Sequence, residues 1–334
     1  MTALASIASI AVSEWPTASA LLLTLGALTV ARFVFQTMSV FLQTFLLPGT
    51  SLKKFGAREG AWAVVTGASD GIGKEFSFQL AKAGFNILLV ARNQSVLEAT
   101  AAEIQNKYPA ISTRVHSIDF STLDETAYAK LSEVLRDLNI GVLVNNVGKS
   151  HTMPVYLIDT PQSEMNDIVN VNVHATLRVT HAALPSMVQR KRGLILNVGS
   201  FSGAVPSPML ATYSGTKAFL ATFSSALGEE LRQHNIVVEH VNTYFVVSKM
   251  SKIRRASAMV PTPAPYVRSV LSKIGLACGA AYSGRPETST PYWAHALLDY
   301  AMTVIGTRRL FIWYTHELHQ SIRKRALQKM AKGQ

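Results

Sequence analysis

A single cysteine, Cys278, is present in the 334 residues, so no internal disulfide can form. A small secreted fold held by cystine staples is excluded, a structural zinc cluster of several thiolates goes with it, and a reducing surrounding is expected for the main domain. Charge is scarce as well. Charged residues make up 16% of the chain against 48% hydrophobic, which excludes a disordered or collagen-like polymer and leaves apolar material for a substantial core. Acid nearly disappears toward the carboxyl end: residues 249–334 hold 14 Lys/Arg and three Asp/Glu, whereas residues 1–248 hold 18 against 17. Almost the whole net charge of +12 therefore sits in the last quarter of the chain. Such a bias suits an anionic membrane surface, a phosphorylated substrate or a nucleic acid, and composition alone does not choose among them.

The amino end lacks charge altogether over a long run. Between Glu14 and Lys53 the one charged residue is Arg32, and Ala18 to Leu47 is apolar over more than the ~20 residues that a spanning helix needs. Residues 1–17 are read as a tail and 18–47 as a retained transmembrane anchor. A cleavable signal peptide fits poorly, because no basic region leads the apolar stretch, the stretch is too long, and no small-residue cleavage site follows it. Arg32 would cost about 3 kcal/mol at the bilayer centre, so it is expected near one boundary. Lys53, Lys54 and Arg58 follow the segment while only Glu14 precedes it, which places the main domain in the cytosol.

From residue 58 to 248, short apolar runs alternate with amphipathic stretches of helical length, the pattern of parallel strands joined by crossover helices. Strands are expected at 62–66, 86–91, 113–118, 141–145, 193–198 and 237–243, with helices at 71–83, 94–108, 123–138, 165–189 and 212–233. Gly84 stands where the first helix would need a cap residue. The expected architecture is α/β: a Rossmann-like, doubly wound parallel sheet. Residues 249–334, with the Pro-containing MVPTPAPY, an aromatic-rich stretch and the basic RKRALQKMAK, are read as a substrate-covering and membrane-proximal region.

The first strand leads into Thr66-Gly67-Ala68-Ser69-Asp70-Gly71-Ile72-Gly73 and then a helix. Glycines there let backbone N–H groups approach a pyrophosphate at a helix N-terminus, so Gly67, Ser69, Gly71, Ile72 and Gly73 are candidate cofactor contacts. The second strand ends at Arg92, where an NAD site would offer a carboxylate; a guanidinium pairs instead with a 2′-phosphate, which favours NADPH. The fourth strand ends in Asn145-Asn146-Val147-Gly148, whose amides either sit beside a cofactor or cap the turn. Tyr213 and Lys217 are four apart on one helix face, Ser200 precedes them by thirteen residues, and Asn172 lies in the preceding helix.

Together these motifs resemble the short-chain dehydrogenase/reductase family over about residues 61–250. The resemblance implies Ser200, Tyr213 and Lys217 as catalytic residues, with Asn172 positioning a water linked to the lysine. Ser200 would hydrogen-bond a ketone oxygen and Tyr213 would protonate it. The phenol would be drawn toward neutrality by Lys217 and the oxidised cofactor, a shift that needs about 4 kcal/mol at roughly 1.36 kcal/mol per pK unit. Lys217 would also hold the nicotinamide ribose. Asp119 would meet the adenine amino group, Asn146 would lie beside the cofactor, and Val246 and Ser248 would contact the carboxamide.

The hydrophobic leader, TGASDGIGKEF, ILLVARN, ILNVGSFSG and YFVVSKMSKIRR further resemble the membrane-bound very-long-chain 3-oxoacyl-CoA reductase branch of that family. This implies reduction of a long acyl-CoA in fatty-acid elongation and residence in the endoplasmic-reticulum membrane. Partners would be membrane lipid, other elongation enzymes and a second copy joined through the 212–233 helix, with no nucleic acid. Lys249, Lys252, Arg254 and Arg255 would meet the coenzyme A head, and Arg323, Lys324 and Arg325 lipid headgroups. A ketosteroid or 3-ketosphingoid reductase, or a non-catalytic NADPH-binding scaffold, stays open as an alternative. His316 and His319 have no companions for a metal, so none is expected. Two departures stand out: Thr243 replaces the family's usual proline, and no seventh strand is legible.

Overall fold

The computed structural model describes residues 16–332; the expected tail, apart from Pro16 and Thr17, lies outside the described residues. Seven parallel strands form one sheet in the order β3-β2-β1-β4-β5-β6-β7. They are β1 (Trp62–Thr66), β2 (Asn86–Ala91), β3 (Thr113–Ser117), β4 (Ile140–Asn145), β5 (Gly193–Val198), β6 (Ile236–Val241) and β7 (Thr288–Ser289). Every residue of β4 and β5 is buried, which is why, apart from Asn145 and Asn197, they read as apolar runs rather than alternating ones. Strand order reverses between β1 and β4, opening a crevice at their carboxyl ends.

Helices cover both faces. On one side α2 (Gly71–Ala83) and α3 (Gln94–Lys107) press Phe76, Leu80, Leu97 and Ile104 onto the sheet. On the other, α4 (Glu125–Arg136), α6 (Ala175–Arg190) and α8 (Ala211–Arg232) contribute Leu131, Leu135, Val179, Met187 and Leu231. Gly84 caps α2 at φ +105°, a left-handed backbone that a side chain would strain.

The six expected strands are present within one or two residues. The seventh exists, but consists of two polar residues paired with His240 and Val241, too short to show a period. The helix expected at 165–189 runs without a gap from Gln162 to Arg190, but widens inside. It comprises α5 (Gln162–Val169), a π-type turn at Asn170–His174, and α6. The widening falls where the Asn172 side chain bonds the backbone of Lys149.

The amino-terminal helix α1 (Pro16–Phe41) runs on through a π turn to Leu46, and this 31-residue span, with an 18-residue window of mean hydropathy 1.8, projects from the body with its apolar surface uncovered. Among the described residues it is the one helix long and apolar enough to cross a membrane. Its inner end is fastened to the body. Thr37 Oγ1 and the Tyr300 hydroxyl lie 2.8 Å apart, and Cys278 N–H donates to Gln43 Oε1. Gly49 and Thr50 N–H donate to the carbonyls of Ser272 and Ile274. The carboxyl-terminal region folds as α9 (Pro263–Ser272), α10 (Trp293–Ile305) and α11 (Arg308–Ala331). The α10–α11 corner exposes Val304, Ile305, Leu310, Trp313 and Tyr314 beside Arg308 and Arg309.

Candidate active site

Thr66, the last residue of β1, ties the crevice together. Its hydroxyl donates to Val144 O and accepts from the N–H groups of Asn146 and Val147. Asn146 Nδ2 donates to the carbonyls of Thr66 and Gly67, so this amide holds the glycine turn in place. Of the two sequence-level readings of Asn146, turn-holding is the one its hydrogen bonds display. Gly67 sits at φ +65°, and a Cβ on Gly73 would fall 2.2 Å from Gly67 O, so only glycine permits this turn. Asp70 gives α2 no side-chain cap, which leaves its first N–H groups to face the crevice with Gly71 and Ile72. Ser69 is partly exposed beside them. A dinucleotide pyrophosphate fits such a turn both sterically and electrically.

At the outer end of β2 the Arg92 guanidinium is largely exposed and lies 3.5 Å from Asp119. Although burial opposes ionisation of Asp119, N–H and O–H donation from Ser121 and the Arg92 charge hold its carboxyl below the usual range. Both residues border the same edge of the crevice.

β5 delivers Ser200 to the start of the short helix α7 (Phe201–Ala204); its hydroxyl accepts from Ser202 N–H and stands beside the Tyr213 phenol. Tyr213 is half-buried, and burial pushes its phenol up while the neighbouring Ser200 pulls it down. The net shift within the polypeptide is therefore upward, and the lowering that the resemblance implies is assigned there to Lys217 together with the oxidised cofactor. Lys217 Nζ donates to Val198 O at 2.9 Å and stands 5.8 Å from the Tyr213 ring centroid. Burial brings the lysine down to about 8.

Asn172 is fully buried with its amide engaged on three sides. It accepts from Lys149 N–H at 2.8 Å and donates to Lys149 O and Thr216 Oγ1, each at 2.9 Å. It thus braces the loop after β4 against α8. At Gly148 a Cβ would approach Asn172 Oδ1 at 3.5 Å and Lys217 Nζ at 3.8 Å, so the two side chains meet over this one glycine.

Val246 is buried, and its carbonyl accepts from Ser251 Oγ; Ser248 and Ser251 bond each other reciprocally in a tight turn. Thr243 anchors the start of this loop: its carbonyl accepts from Phe201 N–H and its hydroxyl bonds the Tyr266 hydroxyl at 2.6 Å. Threonine thereby does by hydrogen bonding what a proline would do by ring rigidity. Sequence reasoning missed Thr66, Lys149, Thr216 and Asn197. Asn197 accepts from Asn145 Nδ2 and donates to Ser224, extending a buried polar chain beneath the site. A polar residue inside an apolar strand, as in LILNV, was the available signal.

A profile of the short chain dehydrogenase family matches residues 61–258, and the chain belongs to that family of oxidoreductases. More narrowly, it is 69% identical over 96% of its length to a very-long-chain 3-oxoacyl-CoA reductase of Laccaria bicolor, covering 94% of that protein. Its identity to the protein so named in Coprinopsis cinerea is 68% over the same shares. Among solved structures, a 7β-hydroxysteroid dehydrogenase shares the fold, with a TM-score of 0.67 and 23% identity over 80% of this chain and 99% of that one. A metagenomic short-chain oxidoreductase in complex with NADP has a TM-score of 0.51 and 33% identity, covering 55% of this chain and 81% of that one.

Proposed function

We propose that the protein is an NADPH-dependent reductase of very-long-chain 3-oxoacyl-CoA. The observation that carries this reading is Ser200 beside the Tyr213 phenol, with the buried Lys217 Nζ 5.8 Å from the tyrosine ring, in a chain 69% identical to a protein so named. When bound, NADPH supplies a hydride to the ketone carbon. Ser200 donates a hydrogen bond to the ketone oxygen, and Tyr213 gives that oxygen the proton which completes the alcohol. A phenol held protonated by burial is the correct resting state for reduction. Lys217 stabilises the phenolate left behind, and Asn172 keeps the Gly148–Lys149 loop and α8 in register around it.

The cofactor residues form one set: Gly67, Ser69, Gly71, Ile72 and Gly73 for the pyrophosphate, Arg92 for the 2′-phosphate, Asp119 for the adenine, and Asn146, Val246 and Ser248 around the nicotinamide. The NADP complex of the 33%-identical oxidoreductase supports the choice of cofactor. Anchoring in a membrane with the catalytic domain in the cytosol rests on α1 and the basic residues after it, and the choice of the endoplasmic reticulum rests on the likeness to very-long-chain 3-oxoacyl-CoA reductases. A homodimer through α8 belongs to the same reading: Ala211, Gly215, Ala218, Thr222 and Ala226 form an exposed stripe of small residues. Partner elongation enzymes and lipid contacts by α11 complete it. The test is turnover of a panel of long-chain 3-oxoacyl-CoAs, ketosteroids and 3-ketosphinganine with NADPH. Preference for a ketosteroid or sphingoid base would overturn the substrate, and absence of any turnover would overturn the enzyme.

A further inference from the structure

A concavity of about 1920 Å³ opens between α2, α9 and the Ser248–Ile253 turn and adjoins the cofactor crevice at Gly71 and Ser248. Its size exceeds the roughly 300–1,000 Å³ of an ordinary small-ligand pocket, so it has room for a large, extended ligand. Eight lysines and arginines line it against two acids, Asp70 and Glu75. Lys249 pairs with Asp70 at 3.6 Å and Lys74 with Glu103 at 2.9 Å. Among the described residues, Lys82, Lys107 and Arg268 form no ion pair, and their charge is free to meet an anion. Two aromatic rings lie in the same wall: Lys107 Nζ is 5.8 Å from the centroids of both Phe78 and Tyr108. The base of the groove is tied across by Gln79 Nε2, which donates to Ala264 O and Glu75 Oε1.

We propose that this groove binds the 3′-phosphorylated adenosine diphosphate end of the coenzyme A thioester, with phosphates on Lys82, Lys107 and Arg268 and the adenine against Phe78 or Tyr108. The inference rests on the acyl-CoA reading above and gives it a location. Bridged phosphates need several cations at once, and a base needs a flat apolar face; a lipid headgroup would use the first and not the second. The groove is also next to the chemistry. The Ser248–Ile253 turn forms its wall with Lys249 and Lys252, while Met250 of the same turn reaches within 3.6 Å of the Cβ position on Gly148, which is 3.8 Å from Lys217 Nζ. The pantetheine arm crosses one turn of chain to carry its thioester from groove to crevice. Lys249, Lys252 and Arg254 also line the groove, whereas Arg255 does not.

The test uses the full-length protein in neutral detergent with saturating NADPH, and compares a 3-oxoacyl-CoA with the N-acetylcysteamine thioester of the same acyl chain. In Lys82→Glu/Arg268→Glu the ratio of the two kcat/KM values, CoA over truncated thioester, should fall at least tenfold through KM. Adenosine 3′,5′-bisphosphate should bind the wild-type protein saturated with NADP and bind the double variant at least tenfold more weakly. An unchanged ratio together with unchanged bisphosphate binding would overturn the groove. So would a KM effect seen only in vesicles of anionic lipid, since the groove would then serve the bilayer. Failure of the reductase reading is separable, because it appears as absent turnover of both thioesters while bisphosphate binding, measured without turnover, still decides the groove.

Discussion

Lys217 Nζ hydrogen-bonds the carbonyl of Val198, the last residue of β5, and with 5% of its surface exposed its pKa is brought down to about 8. The strand end and the catalytic helix are thereby joined by an ammonium whose charge is lost at mildly alkaline pH. Reduction should slow as pH rises through about 8, where the neutral amine no longer stabilises phenolate, while Tyr213 itself stays protonated. A pH profile of kcat/KM with NADPH measures this. In Lys217→Ala the residual rate should show no such limb, and cofactor binding should weaken. A wild-type profile flat to pH 10 would remove the lysine from the reaction.

Tyr213→Phe should lower kcat by about 10²–10⁴-fold, the range of general-acid contributions, with little change in NADPH affinity. The substitution removes the proton but keeps the ring. Near-native turnover by the folded variant would show that another group protonates the alkoxide.

Arg92→Asp should lower the ratio of kcat/KM for NADPH over NADH by more than tenfold. The new carboxylate would stand close to Asp119, 3.5 Å from the present guanidinium, and repel a 2′-phosphate. An unmoved ratio would place adenosine specificity elsewhere.

Removing residues 1–34 should free the protein from alkali-resistant membrane attachment and preserve activity, because the bonds from Thr37, Gln43, Gly49 and Thr50 to the body survive. Removing residues 1–50 spares every proposed catalytic group but strips those bonds, and should lower Tm further, by roughly 3–8 °C. Residual binding by the basic carboxyl end should weaken with salt. If either truncated protein resists both salt and alkali, the α10–α11 region is itself an integral anchor.

Glu239 in β6 is buried, and burial pushes its carboxyl up to about 7 against the pull of Gly275 N–H. In the unfolded chain it ionises near about 4.3. Between those values the folded state binds more protons, so this group's contribution to stability declines as pH rises toward 7 and then levels off. Its Oε1 has no hydrogen-bond partner. Glu239→Gln should therefore stabilise the protein at pH 8 by roughly 1–3 kcal/mol and flatten the dependence of Tm between pH 5 and 8. An equal pH dependence in variant and wild type would show that Glu239 does not ionise across this range.

Much of this protein was determined locally and so was legible in its residues. The central strands β1, β2, β4 and β5 stood out because parallel strands covered on both faces are mostly apolar, whereas the edge strand β3, TRVHS, is neither buried nor apolar throughout. The glycine turn was readable because Gly67 and Gly73 answer to backbone geometry a few residues away, and Tyr213 and Lys217 because a helix puts positions four apart on one face. What depends on distant contacts was not readable. The two-residue β7 exists only because His240 and Val241 offer it an edge, and the helix through Asn172 opens into a π turn because Lys149, 23 residues away, takes up the amide. The tertiary structure alone turned Lys217 toward Val198 and set the Tyr213 phenol beside Ser200. It also brought Lys82, Lys107 and Arg268 from three separate helix ends and faces to one groove, since charges so far apart in sequence become neighbours only when α2 and α9 pack together.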